Sequence, residues 1–144
     1  MATGTGKLYT NAIAKAFNKE IDLDSDTIKV ALCTSSYTPS QGTHDYFSDV
    51  TNEVSGTGYT SGGATLSSKT ASVSGTTFTF DAGDVEWTGS TITARYAVIY
   101  DATPGTAATN PLIAYIDFGA DVSTSDGTLT ITWDAEGIFS ATVS

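Results

Sequence analysis

Histidine, cysteine and methionine each occur once in this chain of 144 residues, proline three times, and lysine and arginine together only six times. Each scarcity removes a class of chemistry. A single cysteine, Cys33, cannot close an internal disulfide, which suits folding in a reducing compartment. Set in the β-rich run Ile28 to Thr34, it reads as a small buried apolar residue rather than a reactive thiol. One cysteine and one histidine cannot build a zinc knuckle or a histidine-rich metal site. The same histidine, His44, would have to serve any Ser-His-Asp or Cys-His arrangement. It lies in a glycine-rich segment with no nucleophile motif around it, and reads as a solvated loop residue.

Basic charge is equally short. Against 16 acidic residues the six basic ones leave a formal net charge of -10 and a pI near 4.1. Too few and too scattered to meet a run of phosphates, they exclude nucleic acid as a partner. The acidity itself needs no acidic active site, since it serves solubility and resistance to non-specific association. Long apolar runs are missing too. The segment Leu8 to Phe17 is broken by Thr10, Asn11 and Lys15, and nothing approaches the roughly 20 apolar residues that span a bilayer. Neither a signal peptide nor a membrane partner is expected.

What is present is β-rich. Thr91 to Asp101 and Pro111 to Asp117 are two apolar runs separated by Thr, Gly, Asn and Pro, the pattern of two strands joined by a loop. Both carry apolar residues at successive positions, Ala97 to Ile99 and Leu112 to Ala114, so both faces should be covered and these should be the central strands. Further strands are expected at Ile28 to Thr34, Ala64 to Val73 with a break near Lys69, Thr76 to Asp81, Val85 to Trp87 and Thr128 to Trp133. In the last of these Leu129, Ile131 and Trp133 alternate with threonines. Turn signals lie at Ser74-Gly75, Ala82 to Asp84, Gly89-Ser90 and Asp126-Gly127. Ile138 and Phe139 should return the C-terminus to the sheet.

Only Lys7 to Glu20 changes period. Leu8, Ala12, Ile13, Ala16 and Phe17 share one face at helical spacing, with Lys15, Asn18 and Lys19 opposite, which predicts an amphipathic helix lying as a lid on a sheet. The expected fold is therefore mainly β, an antiparallel β-sandwich with one N-terminal amphipathic helix. It forms a single domain over residues 7–144 behind a flexible lead, residues 1–6.

Three constellations resemble sites. Asp22, Asp24 and Asp26 are spaced like the start of a calcium loop, but the sixth and twelfth positions, where such a loop needs Gly and Glu, are Thr27 and Cys33. A solvated turn explains them better. Asp81, Asp84 and Glu86 could supply a glycosidase-like carboxylate pair. They flank a glycine turn and alternate along a strand, as a solvated face would. Trp87 and Trp133 could stack a sugar, although aromatics at strand spacing more often fill a core. No catalytic residue, metal or cofactor is assigned. The long segment Ser35 to Gly63, with a short helical turn expected within Asp45 to Val50, carries Tyr37, Tyr46, Phe47 and Tyr59. These aromatics either pin the loop to the core or contact a partner, and they form the candidate interface.

Several stretches taken together carry a resemblance: Ile21 to Pro39, Thr51 to Gly63, Phe80-Asp81-Ala82-Gly83-Asp84-Val85-Glu86-Trp87, Ala94 to Asp101 and Leu112 to Gly119. They are similar to a family of small virion structural proteins of tailed bacteriophages, over nearly the whole chain from Lys7 to Phe139. The resemblance brings no catalytic motif. It implies a non-enzymatic capsid decoration (cement) protein on the capsid exterior, assembled in the bacterial cytoplasm, that binds the major capsid protein and gathers with copies of itself as a trimer. The lead and the long loop would then clamp neighbouring subunits. The alternative it implies is a fibre, tail or vertex component acting as a host-recognition or adaptor module through the loop aromatics.

Overall fold

The computed structural model describes Ala2, Gly4 and residues 6–144. The chain is mainly β, with antiparallel strands and one helix near the N-terminus. In order it forms β1 (Lys7–Leu8), α1 (Thr10–Phe17), β2 (Ile28–Cys33), a 3-10 turn (Phe47–Asp49), β3 (Ala64–Thr65), β4 (Thr70–Ser74), β5 (Thr77–Asp81), β6 (Val85–Ser90), β7 (Thr93–Asp101), β8 (Leu112–Ser123), β9 (Gly127–Ile131) and β10 (Phe139–Thr142). The break expected near Lys69 separates β3 from β4, and the short helical turn falls inside Asp45 to Val50 as expected. None of the helices among the described residues is long and apolar enough to cross a membrane.

A five-stranded sheet runs β1-β8-β7-β2-β3, so the two apolar runs lie at its centre. A three-stranded sheet, β10-β5-β4, and a two-stranded one, β6-β9, pack against it in sandwich fashion. The period of two decides which side chain goes where. From β2, Ile28, Val30 and Leu32 enter the main core with Ala97 and Ile99 of β7, Ile116 of β8, and Trp87, Leu129 and Ile131 of the smaller sheets. Ala31, Cys33, Val98, Tyr100 and Leu112 point the other way, into a second cluster with Tyr9 and Tyr37. Both faces of the central strands are thus buried, which is what their unbroken apolar runs require. A bulge between Ile99 and Tyr100 shifts the register, so that Ile99 faces Ala114 and Tyr100 faces Leu112.

The long loop covers that face with Tyr37, Phe47 and Val50, and its backbone pairs with the strand edges. Val54 N–H donates to the Leu32 carbonyl at 2.8 Å, Thr34 N–H to Asn52 at 3.0 Å, and Leu112 N–H to Asp45 at 2.9 Å. Ser35 to Gly63 therefore has an internal role as an edge and cover of the sheet, a role its sequence did not show. Gly63 shows how closely it fits: its φ is +79°, and a Cβ there would run into the Val30 carbonyl oxygen.

The lead is likewise tied where it is described. Ala2 N–H donates to Thr130 O at 2.8 Å, Thr132 N–H to Ala2 O at 3.1 Å, and Gly6 N–H to Ile138 O at 2.9 Å. Ala2 and Gly6 add to the chain's own strands rather than forming a loose arm; Met1, Thr3 and Thr5 lie outside the described residues.

The helix corrects a further expectation. It is two turns long and lies against β8, with Lys15 and Ala12 buried and the apolar stripe of Ile13, Ala16 and Phe17 exposed. The Lys15 ammonium sits 4.0 Å from the centre of the Tyr46 ring and 3.8 Å from a Glu20 carboxylate oxygen, so its aliphatic stem can lie inside while its charge keeps two partners. A residue expected to face water turns the helix, and its stripe looks outward.

Candidate interaction surface

The four candidate aromatics of the long loop are used within the fold. Tyr37 is buried, its hydroxyl 2.9 Å from that of Tyr9 and 3.0 Å from His44 Nδ1, with its ring edge-on to Tyr96. Phe47 stacks on Tyr100 at 4.1 Å between centroids. Tyr46 lies under the Lys15 ammonium and donates to Glu20 at 3.2 Å. Tyr59 accepts from Leu32 N–H at 2.9 Å and donates to Glu53 at 2.7 Å. Burial raises the hydroxyl pKa of Tyr9 and Tyr59 above the ordinary tyrosine value and pushes that of Tyr37 up to about 12. All four are engaged within the fold, Tyr37 buried and Tyr46, Phe47 and Tyr59 half-buried.

His44 is also part of this lattice. Half-buried, it meets Tyr37, receives Ser40 N–H at 3.3 Å and stacks near the Tyr37 ring, which corrects its reading as a solvated residue. Cys33 is buried as expected, and burial, followed by the charge of Glu53, pushes its thiol up to about 12. Glu53 holds the loop together, since its carboxylate accepts from Tyr59, from Ser61 at 3.2 Å and from Gly62 N–H at 2.5 Å.

The remaining candidates do not converge on a reaction centre. Asp81 accepts from its neighbour Ala82 N–H at 2.9 Å, Asp84 receives Trp133 N–H at 3.4 Å, and Glu86 is exposed. Trp87 and Trp133 are both core residues, and the Trp133 indole donates to the Gly83 carbonyl at 2.8 Å.

The conspicuous free surface lies elsewhere. Four large apolar side chains are exposed among the described residues: Ile13 at 52%, Phe17 at 85%, Val143 at 75% and Val73 at 71%. Three of them rim one groove. One wall is α1, with Ala12, Ile13, Ala16 and Phe17; the turn after the helix adds Ile21 and Leu23. Leu8 and Ile113 form the floor, and Phe78, Phe139, Ala141 and Val143 of the small sheet form the opposite wall. The groove has a volume of about 460 Å³ and no charged residue lines it.

Local chemistry explains both walls. Lys15 on Tyr46 fixes the rotation of the helix and so presents its stripe to the groove. On the other side β10 pairs with β5 through Phe139 to Thr142, and among the described residues no strand pairs with its other edge. Alternation points Phe139, Ala141 and Val143 the same way. The stripe of α1 and this C-terminal alternation are both legible in the sequence; that they face one another is a matter of tertiary packing and was not.

A second hollow, about 350 Å³, lies between Thr34, Glu53 to Ser55, Thr91 to Thr93 and Thr124. Its carboxylate, Glu53, is already occupied by the loop.

A scan of protein-family models, a search of curated proteins and a search of solved structures each found no match to this chain.

Proposed function

We propose that this chain is a non-enzymatic structural protein of a bacteriophage virion, a capsid decoration protein that docks on the outer surface of the shell through the groove beside α1. The observation that carries this reading is the exposed apolar groove on an otherwise strongly acidic domain. Contiguous exposed apolar surface rimmed by polar residues marks protein contact sites. The resemblance to small phage virion proteins supplies the setting, and the major capsid protein is the partner to which the reading commits.

Twelve residues line the groove, against the roughly 20–30 that a standard interface uses on each side. That size fits a projecting loop or strand edge of the shell subunit rather than a broad flat face. A net charge of -10 repels other acidic surfaces, so the element received should be apolar with neutral or basic flanks. The host-recognition alternative rested on free loop aromatics, and the engagement of Tyr37, Tyr46, Phe47 and Tyr59 within the fold leaves it with less support.

Rebinding to particles stripped of this protein tests the reading. Phe17→Asp, at a site 85% exposed in the free chain, should fold normally and lose binding by more than tenfold. Binding equal to that of the unaltered chain would refute the groove as the docking face.

A further inference from the structure

At the end of β7, where Asp101 faces Ile28 of β2, a carboxylate is sealed from water at 0% exposure. Its Oδ1 accepts from Thr103 N–H at 2.9 Å, but its Oδ2 has no hydrogen-bond partner among the described residues. A bare buried carboxylate oxygen is costly, and an acid in that position keeps or finds a proton. A second carboxyl, that of Asp26, belongs to the turn whose next residue, Thr27, is bonded to Ala102 and Thr103 just beyond Asp101.

Asp26 closes the turn between α1 and β2. Its carboxylate accepts from Asp22 N–H at 3.0 Å, while Asp22 accepts from Asp24 and Ser25 N–H at 3.0 Å each. Thr27 N–H reaches Thr103 Oγ1 at 2.8 Å, and Ala102 N–H reaches the Thr27 carbonyl at 2.8 Å. The turn and the β7 end are thus stitched together around the two acids.

We propose that Asp26 and Asp101 share one proton, and that this carboxyl–carboxylate bond is a pH-sensitive latch fastening the α1–β2 turn to the end of β7. With the proton on Asp101, its hydroxyl donates to the Asp26 carboxylate and the orphaned oxygen is satisfied. On release the proton goes to water and two carboxylates face one another. The charged groups on the segments packed here are Asp22 and Asp24 on the same turn, Lys29 of β2, whose ammonium lies beside Gly62, and Lys69 ahead of β4, whose ammonium donates to the Asp26 carbonyl. Asp45, whose carbonyl pairs with Leu112, turns its carboxylate to Asn11. The nearby Lys69 cation disfavours a divalent ion in this place, and among the described residues no three acidic, His or Cys side chains are grouped to hold one.

Burial first, and the bond to Asp26 second, push the Asp101 carboxyl up from 3.8 to about 6. The folded chain therefore holds this proton more tightly than the unfolded one. The latch contributes fully below about pH 3.8 and is lost as the pH rises through about 6. Ile21 and Leu23, at the start of the same turn, line the apolar groove, so the latch and one groove wall share a segment. Only that last link depends on the docking role of the groove.

The test is a titration of the aspartate side-chain carbonyl carbons by NMR on the full chain. One aspartate should titrate near pH 6, and that signal should vanish in Asp101→Asn. Asn at this position mimics the protonated acid, so Asp101→Asn should melt several degrees above the unaltered chain at about pH 7.5 and match it at about pH 3. Asp26→Asn should shift in the same direction. Should Asp101→Asn fail to fold, the titration of the unaltered chain decides alone. All aspartates titrating below about pH 5, or equal destabilisation by Asp101→Asn at both pH values, would overturn the latch. So would a calcium-induced rise in melting temperature that Asp101→Asn abolishes, since a cation would then occupy the place given to the proton.

Discussion

The hydroxyls of Tyr9 and Tyr37 meet 2.9 Å apart in a buried pocket, joining the residue that opens the helix to the loop that covers the sheet. Tyr37 has a second partner in His44 Nδ1 at 3.0 Å, whereas the Tyr9 hydroxyl has no other among the described residues. The two phenylalanine substitutions should therefore differ. Tyr37→Phe leaves Tyr9 with a buried unpaired hydroxyl and should cost about 1–3 kcal/mol in denaturant unfolding. Tyr9→Phe leaves Tyr37 bonded to His44 and should cost about 0.5–1.5 kcal/mol. Equal losses would mean that the two hydroxyls are satisfied independently.

Glycine should matter most where the loop crosses β2. Gly63 has φ +79° and no room for a Cβ beside the Val30 carbonyl, while Gly75, at φ +61° in the β4–β5 turn, has nothing near it. Gly75→Ala should cost about 1 kcal/mol, the penalty for a left-handed backbone alone. Gly63→Ala should exceed about 4 kcal/mol or prevent folding, because backbone must move. Thermal melts of the two variants give the comparison directly.

How much of this was legible in the sequence follows from the range of the interactions. Leu129, Ile131 and Trp133 announce an inward face by simple alternation, and the unbroken runs of β7 and β8 announce burial on both sides. Each signal is local, so the strands could be read. Lys15 could not, because its side chain is buried by Tyr46, a residue of a different segment. By residue type alone it belongs on the wet face of the helix, and moving it inside turns Ile13 and Phe17 outward. The loop aromatics posed the same difficulty. Nothing in the spacing around Tyr37 or Tyr59 shows that their hydroxyls reach Tyr9 and Glu53. Asp101 looks like an ordinary polar strand end until its burial and its neighbour Asp26 are known.

The acid side of the stability profile should depend on Asp49. Its carboxylate accepts from Asp45 N–H at 2.8 Å and Tyr46 N–H at 3.2 Å, and these bonds hold its pKa below the ordinary aspartate value. With the folded pKa depressed, the contribution is present above the unfolded value and is lost as the pH falls through the folded one. Asp49→Asn should cost about 0.5–2 kcal/mol at neutral pH, the range for losing a cap. The difference should narrow as the pH drops below about 4. A constant difference across that range would show that ionisation of Asp49 plays no part.

Counting copies of this chain in the purified virus particle, relative to the major capsid protein, tests the proposed role most directly. A decoration protein should be present in near-stoichiometric amount with the capsid subunits. Absence from the particle, or a number befitting only a tail, fibre or vertex, would contradict it.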